Sequence, residues 1–211
     1  MLYKYPGKLI VFEGGEGAGK STALKFLAAH LRQIGYKVVE TKEPYGEYRK
    51  RLLDTHPMIA PSPEEELDLF IRNRAEHFKE LIIPSLKAGK IILCDRSSFS
   101  TIAYQHYGRG LDLTDILVRD AKARKNVDFD LIVLLDIDPK IGLKRKDPET
   151  RFELEKIDFH HRVRRGYLEQ AKMDFDKKWI VIDASQPEEI VKEQVREVIL
   201  KFLYEENGRE K

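Results

Sequence analysis

Lys8–Leu27 reads KLIVFEGGEGAGKSTALKFL, and it contains the strongest structural signal in the sequence. Its apolar run, Leu9–Phe12, predicts a buried strand, and the amphipathic pattern from Lys20 onward predicts a helix. The turn between them has the spacing G-x-x-x-x-G-K-S, with fixed positions at Gly14, Gly19, Lys20 and Ser21. A strand, this turn and a helix in that order indicate a phosphate-binding P-loop.

The residue types of this loop suit a nucleoside triphosphate. Glycines let backbone N–H groups converge on phosphate oxygens, and the helix N-terminus adds about half a positive elementary charge. Lys20 is placed to reach the β- and γ-phosphates, and the Ser21 hydroxyl is placed to ligate Mg²⁺. A purely structural glycine turn is the alternative, and the strand–helix setting argues against it. The predicted ATP-binding loop is Gly14, Gly15, Glu16, Gly17, Ala18, Gly19, Lys20 and Ser21.

Length and composition set the broad class. The chain has 211 residues, which predicts a single domain over residues 1–211. Lys and Arg number 38 against 36 Asp and Glu, so no whole-protein field favours nucleic acid. No apolar run approaches the roughly 20 residues of a membrane span, and no secretory signal precedes the first strand. The lone Cys94 predicts a small core residue. Together these features predict a cytoplasmic protein without membrane or nucleic-acid partners.

Short apolar runs then alternate with helical patterns. The predicted strands are Leu9–Glu13, Lys37–Thr41, Lys90–Asp95, Leu131–Asp136 and Trp179–Asp183. The predicted helices are Lys20–Ile34, Glu47–Asp54, Pro63–Leu86, Ser97–Tyr107, Thr114–Arg124, Pro139–Lys146, Glu155–Met173 and Pro187–Leu203. Ser62 and Glu65 predict a capping box, and Pro84 predicts an end or kink in that helix. The series predicts an α/β fold, a P-loop three-layer α/β/α domain with a five-stranded parallel sheet.

Acidic residues stand at the carboxyl ends of several predicted strands, where sheets of this type bind ligands. An acid near the P-loop serine can hold Mg²⁺ through water. Asp95 is the better candidate, because a cation, Arg96, follows it directly. For Asp136 we prefer a different interpretation, a helix cap ahead of Pro139.

Six further motifs follow the P-loop in a fixed order. They are TKEP (Thr41–Pro44), LFIRNR (Leu69–Arg74), DRSSFSTIAYQ (Asp95–Gln105), GRG (Gly108–Gly110), RFE (Arg151–Glu153) and VIDAS (Val181–Ser185). With the P-loop, this set resembles the thymidylate kinases of the P-loop nucleoside-monophosphate kinase group, over about Leu9 to Ser185. The resemblance implies transfer of the ATP γ-phosphoryl group to dTMP, giving dTDP, with Mg²⁺. It also implies a homodimer, with the helix Pro63–Leu86 as a candidate contact surface.

The resemblance implies an acceptor site, residue by residue. Glu16 would contact the sugar 3′-hydroxyl, Phe70 would stack on the pyrimidine, and Arg74 would hydrogen-bond the pyrimidine edge. Arg96 would bridge the acceptor phosphate and the transferred phosphoryl group, and Lys42 would hold the acceptor phosphate. The other implied dTMP-binding residues are Ser100, Tyr104, Gln105 and Glu153. Taken alone, Phe70 and Arg74 would be a core side chain and a solvated one.

Four positions around this acceptor site depart from the family pattern. Lys42 stands where arginine is usual, Tyr45 and His106 replace glycines, and Ser97 replaces an aromatic residue. Lysine keeps the charge of arginine but loses its bidentate geometry. ATP chemistry is expected to be unaffected. Preference for thymine over uracil is left open, because one methyl group is worth only about 1–3 kcal/mol.

The segment Lys144–Glu153, KRKDPETRFE, predicts a lid that continues to about residue 155. A run of cations is otherwise a solvated face. Because the P-loop has no arginine at its variable positions, the resemblance implies that the lid supplies the catalytic cation. Arg145 and Arg151 are the candidates, ahead of Lys144 and Lys146. The predicted catalytic residues are Lys20, Asp95, Arg96, Arg145 and Arg151, and the residues implied to border the adenine are Ala184 and Ser185.

Other functions stay open on the sequence. A deoxynucleoside kinase shares a D/E-R-S motif close to Asp95–Ser97, although Lys42–Pro44 and the A-Y-Q segment argue against it. Another pyrimidine nucleoside-monophosphate kinase fits most of the motifs. A non-catalytic nucleotide-binding protein is the remote alternative, because such a protein would be expected to lose Lys20, Asp95 or Arg96. A GTPase would need an N-K-x-D motif, and the sequence has none.

Overall fold

Five parallel strands form one sheet, in the order β2-β3-β1-β4-β5. The computed structural model describes residues 5–53, 61–145 and 150–209. Its strands are β1 Lys8–Glu13, β2 Val38–Lys42, β3 Ile91–Asp95, β4 Leu131–Asp136 and β5 Trp179–Asp183. Every strand begins and ends within about one residue of its predicted bounds. The predicted five-stranded parallel sheet is confirmed.

Helices connect these strands as predicted. They are α1 Lys20–Gln33, α2 Tyr48–Leu53, α3 Pro63–His77, α4 Ile83–Lys87, α5 Ser98–Thr101, α6 Leu113–Ala123, α7 Pro139–Gly142, α8 Ile157–Lys172 and α9 Glu188–Arg209. π-helical turns extend α3 over Phe78–Ile82 and α5 over Ile102–Gly108, and a 3₁₀ turn, Leu143–Arg145, follows α7. Within the described ranges, no helix is both long and apolar enough to cross a membrane.

The helix that begins at Pro63 has the predicted start and an unexpected course. Ser62 forms the capping box with Glu65, since its Oγ accepts from the Glu65 N–H and its own N–H donates to the Glu65 carboxylate. Pro84 does not end the helix, which continues to Lys87. The π turn directly before it has already shifted the hydrogen-bond register, and Pro84 falls in the first turn of α4, where a missing N–H costs little.

Helices cover both faces of the sheet. Successive residues of a strand point to opposite faces. Ile10 and Phe12 of β1 pack with α1 and α9, whereas Leu9 and Val11 pack with the π turn after α3 and with α4. The three-layer architecture is therefore confirmed. Cys94 lies in the second of these cores and is 2% exposed, as predicted.

The strand register brings the motifs to one edge. Phe12 of β1 and Lys42 of β2 both pair with Asp95 of β3, and Asp136 of β4 pairs with Asp183 of β5. The P-loop leaves β1 at the centre of this edge. Because all strands are parallel, their carboxyl ends meet there and form one site.

Candidate active site

A cleft of about 930 Å³ opens at the carboxyl edge of the sheet. This volume is near the upper end of ordinary ligand pockets, about 300–1,000 Å³. One end is formed by the P-loop from Glu16 to Ser21 together with Ala184 and Ser185, and the other holds Phe70 of α3. We call these the donor end and the acceptor end. Most residues predicted for ATP and for dTMP line this one cleft.

The P-loop wraps around its own lysine. Lys20 Nζ donates to the carbonyl oxygens of Gly14 at 3.2 Å and Gly15 at 2.8 Å. Burial, together with the nearby Arg96 guanidinium, lowers the pKa of Lys20 to about 8. At Gly17, where φ is +68°, a Cβ would lie 1.9 Å from the Gly142 carbonyl oxygen, so a side chain there would clash with the end of α7.

Ser21 and Asp95 meet at the mouth of the loop, since the serine Oγ donates to Asp95 Oδ2 at 2.5 Å. In the parts of the chain that the structure describes, no three His, Cys, Asp or Glu side chains converge to hold a metal ion. A hydroxyl and one carboxylate suit Mg²⁺, which usually keeps several waters and takes phosphate oxygens as further ligands. These two residues therefore fit the predicted magnesium site.

Asp136, the other acid at this edge, has a different partner. Arg164 of α8 binds it bidentately, with both N···O distances 2.8 Å. The cap of α7 is Asp138, whose Oδ1 accepts from the Lys140 N–H at 2.8 Å. Our interpretation of Asp136 as the helix cap is therefore wrong. Two acids stand two residues apart ahead of the same helix, and the pattern does not distinguish them.

Arg96 lies between the two ends of the cleft. Its backbone is left-handed, with φ +69°, which is uncommon for a residue other than glycine. Its Nη1 donates to the Gly14 carbonyl at 2.9 Å and to the Tyr167 hydroxyl at 3.0 Å, and its Nη2 donates to Glu16 Oε1 at 2.9 Å. The guanidinium also lies over the ring of Tyr104, 5.2 Å from its centroid, so it contacts both the P-loop and a residue predicted for the acceptor.

Glu16 is held ionised inside the loop. Tyr104 OH donates to the same oxygen that Arg96 contacts, at 2.6 Å. Burial opposes ionisation, but Arg96, Lys20 and the Tyr104 hydroxyl outweigh it and hold the pKa of Glu16 at about 2. An acid beside a phosphate site is thus stabilised by cations already present.

Arg74 forms the buried floor of the acceptor end, and its side chain is only 1% exposed. Its Nε and Nη2 donate to Glu43 Oε2 at 3.0 and 2.6 Å, its Nη1 donates to Asp120 Oδ1 at 2.6 Å, and Thr101 accepts a further bond. Burial disfavours the charge of Arg74, yet the two carboxylates raise its pKa. In turn, the Arg74 guanidinium lowers the pKa values of Glu43 and Asp120 although both carboxyls are buried. Arg74 lines the cleft as predicted, with its position fixed before any ligand binds.

A second buried network holds Gln105 and Arg151. Glu66 of α3 is 1% exposed, and it accepts from Gln105 Nε2 at 2.7 Å and from Arg151 Nη1 at 2.6 Å. Arg151 Nε also donates to the Leu52 carbonyl at 2.9 Å, and its guanidinium stacks on Phe152 at 4.3 Å. Gln105 lines the cleft, but Arg151 is not among the lining side chains. The structure therefore places this predicted lid cation behind the acceptor end.

Arg145, the other lid candidate, stands at the donor end. Its Nη1 donates to the Gly17 carbonyl at 3.2 Å and its Nη2 to the Ala184 carbonyl at 2.9 Å. It thereby joins the P-loop to the segment after β5, where the predicted Ser185 also lines the cleft. Lys144 is exposed, and Lys146 lies in the segment 146–149, outside the described residues.

The remaining predicted residues lie along the acceptor wall. Phe70 is half-buried, with its ring 6.3 Å from that of Phe152. Lys42 is exposed at the end of β2 and lines the cleft, as does Ser100. Glu153 is buried and accepts from the Thr150 N–H at 2.7 Å.

Several residues of the site are not singled out by the sequence patterns. Glu13 ends an apolar strand yet is fully buried, and that position of a charge at the end of an apolar run is its only signal. Tyr167 of α8 contacts Arg96, although its spacing is that of an ordinary core residue. Glu43, Glu66 and Asp120 also gave no signal as partners, because their contacts cross between separate helices and loops.

A parallel sheet with a P-loop at its centre, and a cleft whose far wall carries buried arginines, define a P-loop kinase of the nucleoside-monophosphate type. The family model described as thymidylate kinase matches residues 12–195. The thymidylate kinases of Desulfovibrio desulfuricans and Geotalea uraniireducens are 42% and 43% identical to this chain, covering 92% and 85% of it and 95% and 90% of their own lengths. A probable thymidylate kinase of Archaeoglobus fulgidus is 40% identical, covering 92% of this chain and 96% of its own. The chain belongs to the thymidylate kinase family.

Proposed function

We propose that this protein transfers the γ-phosphoryl group of ATP to dTMP, giving dTDP and ADP. The observation that carries the proposal is the position of Arg96, whose guanidinium donates to the Gly14 carbonyl of the P-loop and contacts Ser100 and Tyr104 of the predicted acceptor site. A planar cation at the junction of two phosphate sites can bind oxygens of both at once. The family match supports the same reaction and gives no support to a nucleoside kinase or to a non-catalytic protein.

At the donor end, backbone N–H groups of the P-loop and Lys20 would bind the ATP phosphates, and Arg145 would approach them from the lid. Ser21 and Asp95 would hold Mg²⁺, which when bound offsets the negative charge of the phosphates. Phosphoryl transfer leaves little covalent work to the protein, so these positioned cations are the main catalytic device. Ala184 and Ser185 would border the adenine.

At the acceptor end, Phe70 would stack on the pyrimidine and Arg74 would bind its edge with the N–H that remains beyond its carboxylate partners. Glu16 and Tyr104 would bind the 3′-hydroxyl, and Lys42 would hold the phosphate. Ser100, Gln105 and Glu153 complete the acceptor wall. An oxygen of the dTMP phosphate attacks the γ-phosphorus and the bond to the ADP oxygen breaks. The attacking oxygen is already ionised, so no strong general base is needed.

The two lid arginines would have different roles. Arg145 already bonds to the P-loop, so we assign it the donor phosphates. Arg151 is paired with Glu66 behind Gln105, so we assign it to shaping the acceptor wall rather than to the triphosphate. The sequence predicts both arginines as catalytic cations, and this assignment keeps that role for Arg145 alone.

We also propose a single kinase domain that works as a homodimer in the cytoplasm. Next to α3, helix α6 exposes Leu117 and Val118 by 47% and 64%, which suits a contact between copies. A lone buried Cys94 suits a reducing compartment. Light scattering on the full chain should give twice 24.6 kDa, and a Val118→Glu variant should lower that mass. A single-chain mass at micromolar protein would contradict the dimer.

A coupled ADP-release assay across dTMP, dUMP, dCMP, UMP and thymidine tests the reaction. We expect dTMP to be the best acceptor, with dUMP second. The Lys20→Ala protein, prepared in the same way, controls for contaminating kinases. Turnover of thymidine with none of any monophosphate would overturn the proposal.

A further inference from the structure

Glu13, the last residue of β1, is a fully buried carboxyl group beneath Arg96. Its Oε1 accepts from the backbone N–H groups of Ser97 at 2.8 Å and Ser100 at 3.3 Å. Its Oε2 accepts from Ser100 Oγ at 2.5 Å and from the Tyr167 hydroxyl at 3.2 Å. Every one of these partners belongs to the segment that follows Arg96 or contacts Arg96 itself.

The two hydroxyl groups link this carboxylate to the guanidinium. Arg96 Nη1 donates to Tyr167 OH at 3.0 Å and to Ser100 Oγ at 3.4 Å. A hydroxyl has one hydrogen to donate. The Ser100 hydrogen goes to Glu13, and the Tyr167 hydrogen goes to Glu13 or to Ser100 Oγ, which is 2.8 Å away. Both oxygens therefore turn lone pairs toward Arg96.

Side chains from four different elements face the Glu13 carboxyl group. They are Lys20 of α1, Cys94 and Arg96 at the end of β3, Ser100 of α5 and Tyr167 of α8. Burial is the largest influence, and it raises the pKa of Glu13 to about 7 even though Ser100, Arg96, Ser97 and Lys20 all favour the ionised form. The charge of this side chain therefore changes within the pH range of an ordinary kinase assay.

We propose that Glu13 is a positioning residue for Arg96, acting through the hydroxyl groups of Ser100 and Tyr167. It fixes which way those hydroxyls point, and so holds the guanidinium in the orientation that faces both phosphates. The inference rests on the proposed function, in which Arg96 bridges donor and acceptor. Glu13 itself lies below the cleft wall and is not among the side chains that line it.

The isosteric variant Glu13→Gln tests the proposal. If the amide oxygen keeps the Ser97 N–H, the NH₂ group donates toward Ser100 and Tyr167 and turns their hydrogens toward Arg96, which has no lone pair to accept them. The opposite amide orientation sets the NH₂ group against the Ser97 N–H. We expect kcat with dTMP to fall by about tenfold to hundredfold, with the KM for ATP changed by no more than about twofold.

Tyr167→Phe supplies the matched control. It removes one of the two hydroxyl groups through which Glu13 orients Arg96. Glu13→Gln should therefore lower kcat by a smaller factor in a Tyr167→Phe background than in the wild type. Strictly additive losses would show that Glu13 acts by another route. If Glu13→Gln does not fold, Tyr167→Phe decides alone, and an unchanged kcat in that variant contradicts the proposal.

The pH profile separates positioning from a merely structural role. With ATP saturating, kcat/KM for dTMP in the wild type should fall as the pH drops below about 7, because protonated Glu13 loses an acceptor oxygen. The dTMP phosphate itself titrates near pH 6, and it does so equally in both proteins, so the difference between profiles isolates Glu13. Wild-type activity and an unchanged profile in Glu13→Gln would overturn the inference. A wild-type protein inactive on dTMP would instead overturn the proposed function.

Discussion

The two ends of the cleft are built in different ways. At the donor end, cationic side chains donate hydrogen bonds to main-chain carbonyls. Lys20 donates to Gly14 and Gly15, and Arg145 donates to Gly17 and Ala184. At the acceptor end, buried arginines are paired with buried carboxylates, as Arg74 is with Glu43 and Asp120. One end is held by a local loop, whereas the other is held by side chains from distant elements.

Because of this difference, substitutions at the donor end should affect catalysis alone, whereas substitutions at the acceptor end should also affect the free energy of unfolding. Truncating Lys20 leaves neutral carbonyls rather than a buried charge, and the Gly14 carbonyl still accepts from Arg96, so the fold should survive. Truncating an acceptor-end arginine leaves buried carboxylates without their partner, which costs folding free energy as well as function.

Lys20→Ala should abolish most turnover while the protein stays folded. Lys20 is the P-loop cation for the β- and γ-phosphates, and removing one such positioned donor costs about 10²–10³-fold or more in kcat. Steady-state kinetics give the loss, and a thermal melt checks the fold. Lys25→Ala, an exposed lysine of the same helix, is the control and should match the wild type. A melt that collapses in Lys20→Ala would break the contrast between the two ends.

Arg74→Leu should destabilise the protein strongly. Removing one partner of a buried charge pair costs about 3–5 kcal/mol. Both Glu43 and Asp120 would lose their shared cation, although Glu43 keeps His77 and Asp120 keeps Arg124 and Ser98. Denaturant unfolding measures the loss, and Arg72→Leu, on an exposed position of the same helix, should stay within about 0.5 kcal/mol of the wild type.

The same variant gives a pH test with a definite sign. Because Arg74 holds the pKa values of Glu43 and Asp120 below their ordinary range, its stabilisation is present above about pH 4 and is lost as the pH falls through the folded-state values. The stability gap between wild type and Arg74→Leu should therefore narrow in acid. A gap that widens in acid would mean that the carboxylates are not the partners that matter.

The sequence predicted the donor end almost completely, because each of its features depends on residues close together in the chain. The apolar run Leu9–Phe12 and the loop spacing suffice for the strand, the turn and the helix. For the acceptor end, the sequence predicted which residues take part but not how they pair with one another. Arg74 lies 31 residues from Glu43 and 46 from Asp120, and no local pattern reports such a pairing. Asp136 was misassigned for a related reason, since its partner Arg164 comes 28 residues later.

Arg145→Ala and Arg151→Ala should change different kinetic parameters. Losing Arg145 should lower kcat by about tenfold to hundredfold, because it removes a cation from the developing charge. Losing Arg151 should instead raise the KM for dTMP by about tenfold and lower the melting temperature, because the buried Glu66 loses its 2.6 Å ion pair and keeps only Gln105 and the longer contact with Arg109, at 3.5 Å. Steady-state kinetics on both variants distinguish the two roles. A loss of kcat in Arg151→Ala with the KM for dTMP unchanged would show that Arg151 acts on the ATP phosphates, as the sequence predicts.

ATP binding should take up protons near pH 8.5. The pKa of Lys20 is about 8 in the unliganded protein, and a bound triphosphate raises it, so deprotonated enzyme must gain a proton to bind. Affinity should weaken by about tenfold per pH unit above that pKa. Calorimetry of Mg²⁺–ATP binding in buffers of different ionisation enthalpy measures the uptake. Lys20→Arg, which stays protonated, should show none.

Asp136→Asn should have the smallest effect. Its partly exposed pair with Arg164 is worth about 1 kcal/mol or less, and the residue is not part of the cleft wall. The kcat should stay within about twofold of the wild type, whereas Asp95→Asn, which changes the last residue of β3, should lose most activity. Equal losses in the two variants would show that the magnesium site has been assigned to the wrong strand.

In the proposed reaction, one cleft holds two nucleotides, the donor at Lys20 and the acceptor at Phe70, with Arg96 between them. A crystal structure with 5-bromo-dUMP and a non-hydrolysable ATP analogue tests it most directly, because bromine replaces the thymine methyl group and marks the base. We expect an anomalous bromine peak against Phe70, with the triphosphate on the P-loop. A bromine peak beside Ser185, or outside the cleft, would contradict it.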